Sequence, residues 1–424
     1  MQERIITLAT PVFFALIALE IVVGRLRSRS TYRLDDAVSS LSLGVLSQVA
    51  AVFTRLLSIG LYVWLFESFA VGSWPADSVW SWIGALLFYD FCYYWHHRAM
   101  HRVNVLWAAH VVHHSSEEYN LSTALRQTGT GALFGWVFYV PMALAGVPPA
   151  LFVAVGLVDL LYQFWIHTRQ VGRLGWFDRV FASPSNHRVH HAVNDRYIDR
   201  NYGGVLIVWD RLFGTFEDER DDERIVYGTR APLRSWNPLW ANLEVYAALA
   251  RDAWRARRWR DRLQVWVRPP GWRPADVAAA WPQAPFAIER FEPYHPWAGR
   301  AVRLYASVQF ALVLAAAVHF LQAHRDASLA QNLAHAAWIV ASLVAIGGLF
   351  EGRRGFVWLD AVRLAAAALV AGGLGVWFGP QALAAAPRAV LTGLALASLA
   401  AVAGLGARSR WRAPDAGTSG TAPA

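Results

Sequence analysis

The stretch Asp90–His114 reads DFCYYWHHRAMHRVNVLWAAHVVHH and places six histidines within 25 residues, directly after an apolar run. A further group, NHRVHH, follows at Asn186–His191. Residues three or four positions apart share one face of a helix, so each group projects its imidazoles to one side. The spaced positions are His97 and His101; His110, His113 and His114; and His187, His190 and His191. Eight of the 14 histidines therefore fall into the patterns HxxxH, HxxHH and HxxHH.

Eight converging imidazoles predict a metal site. Buried without partners they would be costly, and protonated they would repel one another, whereas a metal ion gives each nitrogen a partner. A structural zinc takes about four ligands and an octahedral iron about six, so eight nitrogens predict two ions. Imidazole suits iron, zinc and copper alike. The single cysteine, Cys92, excludes a disulfide framework and a zinc site of several thiolates.

The composition predicts an all-α polytopic membrane protein. Of 424 residues, 56% are hydrophobic and 16% charged, with 22 Trp and a mean hydropathy of +0.28. Apolar runs of about 20 residues, long enough to cross a bilayer, recur along the chain. About nine transmembrane helices are predicted, at 5–24, 38–69, 77–95, 129–145, 148–167, 301–322, 333–350, 357–378 and 387–406. The first is interpreted as an uncleaved span, because no small-residue cleavage site follows it.

The arginines set the predicted topology. The net charge of +9 arises in loops beside apolar spans, which indicates anionic lipid rather than nucleic acid as the partner. Basic loops at 25–34, 169–300, 351–354 and 407–412 fall on one side together with the histidines, and the positive-inside rule makes that side cytoplasmic. The segment 169–300 is predicted to be a cytoplasmic helical cap carrying the histidine-rich di-metal site. The lysine-free, Ala- and Arg-rich composition predicts a bacterial inner membrane.

One segment of the cap has two interpretations. Leu239–Val267 alternates apolar residues and arginines at helical spacing. It predicts either a basic helix lying on the membrane surface or an ordinary amphipathic helix packed on the cap.

Further polar residues are candidates for the site. His167 ends the span 148–167 and is a candidate additional ligand. His96 points about 100° away from His97 around a helix and is predicted to be structural. Asp90 and Asn194 are the candidate catalytic residues, and Asp90, two turns before His97, can fix the tautomer of an imidazole. Candidates for supporting the site are Glu117, Glu118, Asn120, Arg126, Asn186 and Asp210.

The sequence resembles the fatty acid hydroxylase / sterol desaturase superfamily of integral-membrane di-iron enzymes. The motifs that carry the resemblance lie within about 80–217 and are YDFCYYWHHRAMH, LWAAHVVHHSSEEYNLSTALRQ, SPSNHRVHHAVNDRYIDRNYGG and WDRLFGTF. RPPGWRP, RLYASVQFALVL and the remaining spans resemble the alkylglycerol monooxygenase branch. The resemblance implies two iron ions, ligated by the eight spaced histidines, and gives His96 no place among the ligands.

The resemblance implies an oxygen-dependent monooxygenase that acts on a membrane lipid. In the alkylglycerol branch a tetrahydropterin donates electrons and the carbon next to an ether oxygen is hydroxylated; here the electron donor stays unidentified. Sterol or fatty-acyl hydroxylation or desaturation is the alternative within the superfamily. A histidine-lined metal transporter is the alternative of another class, although clustering at one membrane face disfavours a translocation path. A third is an inactive member holding zinc.

These observations predict five regions. They are 1–76, N-terminal transmembrane helices; 77–217, the fatty acid hydroxylase-like catalytic region; 218–300, a cap with an amphipathic helix; 301–408, a four-helix transmembrane region; and 409–424, a disordered tail.

Overall fold

The chain is helical throughout the part that the computed structural model describes, which is residues 2–408 and 411, without the side chains of 2–8 and Arg55. Its described residues form no β-structure beyond three isolated bridges. They divide into two compact units, one comprising the chain up to Leu233 with Asn242–Glu292, the other comprising Arg234–Ala241 with the chain from Pro293 onward. The all-α prediction is confirmed. The five functional regions stay predictions, and the tail 409–424 lies almost entirely outside the described residues.

Helices α1 to α13 precede Pro293 in the sequence. They are α1 Gln2–Leu26, α2 Leu34–Phe69, α3 Val79–Arg102, α4 Asn104–His114, α5 Leu121–Ala124, α6 Val140–Leu144, α7 Pro149–Trp165, α8 Phe177–Val180, α9 Pro184–His190, α10 Val208–Leu212, α11 Pro238–Arg255, α12 Trp259–Val267 and α13 Ala275–Ala280. Short 3-10 turns occur at Gly131–Leu133, Gly135–Tyr139 and Ile288–Arg290.

Four long helices follow. They are α14 Arg300–Ala323, α15 Leu329–Phe350, α16 Phe356–Ala368, which continues as a π-helical turn over Leu369–Gly373, and α17 Ala385–Arg408.

Six stretches of the described helices are long and apolar enough to cross a membrane. They are Ala9–Leu26, Leu34–Thr54, Arg300–Ala323, Leu329–Phe350, Phe356–Gly373 and Ala385–Arg408. Several membrane spans are therefore present, but the count of nine is not confirmed. The predicted spans 77–95, 129–145 and 148–167 are not among these six.

Each of these three segments has a physical reason for falling short. The 17 residues of α7 extend only about 25 Å, less than the ~30 Å of a hydrocarbon core. The segment 129–145 is broken into two 3-10 turns and the five-residue α6, because Gly131, Gly135 and Pro141 interrupt it. Helix α3 ends in the polar run WHHRAMHR.

A buried carboxylate joins α1 to the segments that carry the histidines. Glu20 is 5% exposed. It accepts hydrogen bonds from the Tyr32 hydroxyl, the Thr168 hydroxyl and, at 2.9 Å, the backbone N–H of Leu121. Because a carboxylate in an apolar segment is costly without donors, these bonds fix α1 against the start of α5 and the segment after α7.

The predicted helix Leu239–Val267 is divided in two, and the expectation of one continuous helix is wrong. Helix α11 ends at Arg255 and α12 begins at Trp259. At the break, Ala256 is fully buried and its carbonyl accepts a hydrogen bond of 2.8 Å from Arg262 Nε. The break lets Leu249 of α11 and Val265 of α12 pack with Ala108 in one apolar cluster.

The second unit contains a buried polar network within α14–α17. Arg363 donates to Asp360 Oδ1 at 2.8 Å and to Gln309 Oε1 at 2.7 Å. The Tyr305 hydroxyl donates to Asp360 Oδ2 at 2.6 Å, and Gln309 Nε2 donates to Ser398 Oγ at 2.9 Å. The two charges of this network, Asp360 and Arg363, are therefore paired with each other, as their burial requires.

Candidate metal centre

The structure gathers nine histidines into two adjacent clusters of buried side chains. The first cluster consists of His97, His101, His110, His114 and His190. The second cluster consists of His113, His167, His187 and His191. Within each cluster, one nitrogen from every residue lies within 4.8 Å of the others. The clusters touch, since the rings of His114 and His191 stack with centroids 4.3 Å apart.

Helices α3, α4 and α9 carry most of these side chains. Helix α3 presents His97 and His101 one turn apart, and the chain then bends at Val103, whose extended backbone ends α3 and precedes α4. Helix α9 starts at Pro184 after Ser183, whose hydroxyl caps it by accepting from the N–H of Asn186. The expectation that each HxxHH group projects all its imidazoles to one side is wrong. Adjacent residues lie about 100° apart around a helix, so the first and last histidine of each group join one cluster and the middle histidine joins the other.

Backbone carbonyls determine the tautomers of four histidines. His97 Nδ1 lies 2.8 Å from the Tyr202 oxygen and His190 Nδ1 lies 2.9 Å from the Arg200 oxygen. In the second cluster, His113 Nδ1 lies 3.0 Å from the Arg126 oxygen and His167 Nδ1 lies 2.7 Å from the Gln163 oxygen. A carbonyl only accepts, so each Nδ1 carries the proton and each Nε2 presents a lone pair.

These lone pairs face one another and fit a bound cation. The Nε2 atoms of His113 and His167 are 3.2 Å apart, yet neither carries a proton to share in the neutral ring. Two nitrogens bound at right angles to one ion at about 2.1 Å lie about 3 Å apart. The Nε2 atoms of His97 and His110, 3.1 Å apart, match this spacing in the first cluster.

Two further nitrogens lack any partner within the described part of the chain. The Nε2 atoms of His101 and His190 are buried and make no hydrogen bond there. Buried donors or acceptors without partners are rare and costly. Both atoms belong to the first cluster, where an ion would satisfy them. The donor set therefore fits two metal ions bound by nitrogen.

Burial keeps the imidazoles neutral. Loss of hydration lowers the pKa of His113 to about 4 and the pKa of His190 to about 3. The same cause, reinforced by neighbouring imidazoles, holds the pKa values of His110, His114, His187 and His191 well below 6.5. Neutral imidazole is the form that binds a metal, so the site is prepared for ions at neutral pH.

Asp90 lies beside a loop rather than an imidazole. Its carboxylate accepts from the backbone N–H groups of Val205 at 2.7 Å and Leu206 at 3.0 Å, and from the indole of Trp209 at 2.9 Å. The tautomer of His97 is set by Tyr202 at the start of that loop. Asp90 therefore positions the loop that carries the carbonyl.

Asp210 holds the same loop from its other end. Its carboxylate accepts from the backbone N–H groups of Tyr202 at 2.8 Å and Gly203 at 2.7 Å, and from the Thr215 hydroxyl at 2.6 Å. Asp210 is fully buried. Asp90 and Asp210 together fix the position of the Tyr202 carbonyl against His97.

Asn194 organises the chain after α9. Its amide nitrogen donates to Glu223 Oε1 and the Arg224 oxygen, both at 3.0 Å, and its oxygen accepts from the N–H of Val226 at 3.0 Å. Asn186, within α9, donates to the Asp178 oxygen at 3.0 Å. Both side chains hold segments of the backbone in place around α9.

Arg126 and Asn120 support the second cluster from the other side. Arg126 is fully buried. Its side chain donates from Nε to the Val112 oxygen and from Nη2 to the Ser115 hydroxyl, both at 2.9 Å. Its backbone carbonyl accepts from His113 Nδ1. Asn120 caps α5 and donates to the Thr31 oxygen at 2.6 Å. Burial raises the pKa of Glu118 to about 7.

His96 lies outside both clusters. Its ring stacks on Phe138 with centroids 4.9 Å apart, and a Cβ at Gly135 would meet it at 2.9 Å. Its position agrees with the structural role predicted from its offset around α3.

Several residues around the site were not identified from the sequence. Tyr119 is fully buried, stacks against His167 and contacts the His191 ring at a tilt of 57°. Asp159 is 2% exposed and accepts from Gln163 Nε2 at 2.7 Å. Asp159 could have been identified from the sequence, because a charged residue within an apolar run indicates a functional role. Nothing in the sequence distinguishes Tyr119 or Gln163 in this way.

Comparison with known proteins agrees with this geometry. The family model described as Fatty acid hydroxylase matches residues 82–215. Alkylglycerol monooxygenase of Homo sapiens is 38% identical over 81% of this chain and 77% of the relative, and that of Danio rerio is 37% identical over 84% and 79%. The ornithine lipid hydroxylase OlsE of Rhizobium tropici is 31% identical over 31% of this chain and 40% of the relative. No solved structure matches.

The fold, the histidine clusters and the matched region define a membrane oxidoreductase of the fatty acid hydroxylase type. Within that class, three alkylglycerol monooxygenases match this chain at 36–38% identity over more than three quarters of both chains. The chain belongs to the alkylglycerol monooxygenase family.

Proposed function

We propose that the chain is an oxygen-dependent monooxygenase with two iron ions that hydroxylates a C–H bond of a membrane lipid. The facing lone pairs of His113 and His167 carry the proposal, because only a bound cation reconciles two unprotonated nitrogens 3.2 Å apart with their burial. The family membership and the membrane-spanning helices supply the reaction type and the lipid setting.

Each cluster would hold one ion, and His167 would complete the second set alongside the eight motif histidines. Bound iron would supply the redox activation of dioxygen that an unactivated C–H bond requires and that acid–base side chains do not provide. The chain orients the ligands through the carbonyls of Tyr202, Arg126, Gln163 and Arg200. It also keeps the site dry, which maintains neutral imidazoles at pH 7. Asp90 and Asn194 would act by holding the neighbouring backbone.

The substrate class follows from the relatives. The proposed reaction is hydroxylation of the carbon beside the ether oxygen of an alkylglycerol, with a tetrahydropterin as electron donor, as the resemblance implies. Other relatives are named for ornithine lipid, fatty acid and sterol substrates. Oxidation of an acyl chain or a sterol is therefore the alternative reaction. The histidines are proposed to face the cytoplasm of a bacterial inner membrane, because the basic loops are predicted to lie on the same side of the membrane as the histidines.

Metal analysis tests the two-ion site. The purified full chain is expected to hold about two irons, and His187→Ala is expected to remove at least one of them together with activity. His96→Gln is the matched control, since His96 is a partly buried neighbour outside both clusters, and it should retain both ions. Zinc alone in anaerobically purified, active protein would contradict the redox role.

Isotope labelling tests the reaction. Host membranes with and without the chain are supplied with an alkylglycerol under ¹⁸O₂, and the lipids are analysed by mass spectrometry. Hydroxylation beside the ether oxygen gives a hemiacetal, which breaks down to an aldehyde and a glycerol. The aldehyde is reduced to the alcohol as it forms, because a free aldehyde exchanges its oxygen with water. One labelled oxygen in this alcohol is expected; an unlabelled alcohol, or turnover by metal-free protein, would contradict a monooxygenase.

A further inference from the structure

Helix α12 carries a stripe of exposed apolar side chains. Trp259, Leu263 and Val267 follow one another at intervals of four residues and therefore share one face of the helix. Their exposed fractions are 74%, 68% and 61%. Trp254, near the end of α11, is 83% exposed. Large apolar side chains exposed singly need no explanation, whereas a contiguous exposed stripe indicates a surface that binds something.

The opposite face of α12 is packed against the protein. Val265 is 1% exposed and lies in an apolar cluster with Ala108 of α4 and Leu249 of α11. Asn104, the first residue of α4, donates from its side chain to the Val265 oxygen at 2.8 Å and from its backbone N–H to the Arg268 oxygen at 2.9 Å. Helix α12 is therefore fixed to the helix that carries three of the clustered histidines, and the apolar stripe faces away from it.

Arginines surround the stripe. Residues 251–276 contain eight arginines and three aspartates, which gives a net charge of +5. Arg273 pairs with Asp252 at 2.7 Å, and this pair uses one charge of each sign. Seven arginines therefore remain against two aspartates, and the excess of five positive charges is not neutralised within the segment. The exposed members of this group are Arg251, Arg255, Arg257, Arg258, Arg260 and Arg268.

The combination fits the headgroup layer of an anionic membrane. Indole rings prefer the interface between lipid and water. Arginine lays its apolar stem along the lipid and extends its guanidinium to the headgroups, and each basic residue near an anionic surface adds to the attraction. An apolar stripe on one face of a short helix, flanked by arginines, is the pattern of a helix that lies in the plane of the interface.

We propose that α12 and the end of α11 lie on the surface of an anionic bilayer, with the stripe Trp259, Leu263 and Val267 inserted among the lipids. The chain is already held in a membrane by its spans, so only this local contact has to form. The contact would hold α4, with its histidines, at the level of the lipid headgroups. The proposal concerns lipid contact and stands whether or not the chain oxidises a lipid.

A fluorescent reporter on the stripe tests the proposal. Leu263→Cys in a Cys92→Ser background is labelled with nitrobenzoxadiazole. The full chain is reconstituted in nanodiscs of phosphatidylcholine, alone or mixed with an equal part of phosphatidylglycerol. Lipids with a nitroxide near the headgroup end of an acyl chain quench a probe that contacts the bilayer. Strong quenching is expected in the anionic nanodiscs and weaker quenching in phosphatidylcholine alone. A probe at Asp222→Cys, an exposed acidic position, is the control and should stay unquenched.

A charge variant tests the role of the arginines. Arg258→Gln combined with Arg260→Gln is expected to lower the ratio of bilayer-contacting to water-exposed probe at least about fivefold in the anionic nanodiscs, because each arginine contributes about that factor. Arg220→Gln combined with Arg224→Gln removes the same charge at exposed positions outside this surface and should leave the quenching unchanged. Unchanged thermal unfolding confirms that each variant is folded.

Three results would overturn the proposal. A probe at position 263 that iodide quenches and nitroxide lipids do not would show that the stripe faces water. A probe shielded from both quenchers would identify a protein surface, such as a second copy of the chain, as the partner. Equal quenching in the two kinds of nanodisc, unaffected by the charge variant, would show that anionic lipid is not what this surface recognises.

Discussion

At the residue scale, the state of each histidine depends on groups that carry no side-chain signal. His97, His113, His167 and His190 each donate Nδ1–H to a backbone carbonyl, and any residue type offers a carbonyl. The spacing of the histidines therefore predicted eight members of the two clusters, and the separate candidate His167 is the ninth. Their orientation follows from the loops around Tyr202, Arg126 and Arg200, which the sequence did not place.

Lower pH is expected to destabilise the protein. The unfolded chain takes up a proton on each histidine near pH 6.5, whereas the folded chain keeps His113 neutral to about pH 4. Between these values the unfolded state binds more protons, so the free energy of unfolding falls as pH falls, by up to about 3 kcal/mol for such a group. Protons also compete with bound metal, which acts in the same direction. The melting temperature should fall from pH 8 to pH 5.

Several buried carboxyls oppose this trend, including Glu118, Asp210, Asp90 and Glu244, because burial raises the pKa of each. Burial raises the pKa of Glu118 to about 7 and the pKa of Asp210 to about 6, so the folded state holds their protons and each favours folding as pH falls. They are outnumbered by the histidines on and beside α4 and α9. A melting temperature that stays constant or rises between pH 8 and pH 5 would show that the imidazoles are not buried as neutral groups.

Gly204 is expected to tolerate no side chain. A Cβ there would meet Asp159 Oδ1 at 2.6 Å and the Tyr93 ring at 2.8 Å. Both neighbours are packed, so Gly204→Ala should destabilise the protein by about 1–3 kcal/mol and shift the loop that bears the Tyr202 carbonyl. Gly172→Ala is the control, since a Cβ there meets nothing within 4 Å. Equal thermal unfolding of the two variants would contradict close packing at Gly204.

At the element scale, breaks in helices matter as much as the helices themselves. The bend at Val103 turns α4 back along α3, and the break at Ala256 folds α12 toward α4. Periodicity marks helical segments but does not report such breaks, because neither Val103 nor Ala256 is a helix breaker. The sequence consequently predicted the helical type of 239–267 and missed its interruption.

The polar network of α14–α17 gives an element-scale prediction. Arg363→Met leaves Asp360 buried without its ion pair and should destabilise the bundle by about 3–5 kcal/mol. Arg354→Met, at an exposed arginine before α16, is the matched control and should be near neutral. Thermal unfolding of the full chain in detergent measures both. A stability loss below about 1 kcal/mol for Arg363→Met would show that water reaches Asp360.

At the scale of the whole molecule, hydropathy predicted several membrane spans, of which six described helical stretches are long and apolar enough, while the count of nine is not confirmed. Apolar segments such as 129–145 and 148–167 satisfy a composition test, but their folded forms are short or broken. Helix α3 is long enough to span a membrane but not apolar enough over its whole length. It starts with exposed apolar residues and ends with His97 and His101 of the first cluster.

Cysteine labelling tests the predicted orientation. Cys92 is the single cysteine and is buried, so a Cys92→Ser background permits single reporters. In intact spheroplasts an impermeant maleimide should label Asp326→Cys, between α14 and α15. It should label Arg260→Cys, in the basic segment 169–300, only after permeabilisation. The reverse pattern would place the histidine-bearing segments outside the cytoplasm.

The sequence by itself determined the helical membrane class and the identity of eight clustered histidines, because hydropathy and helical spacing are local properties. Only the tertiary structure decided how the nine imidazoles divide between two clusters, which tautomer four of them adopt and where Asp90 acts. These features depend on contacts between segments separated by up to 119 residues, such as Asp90 with Trp209. The spacing of histidines along one helix does not show which backbone carbonyl or loop from another part of the chain will contact them.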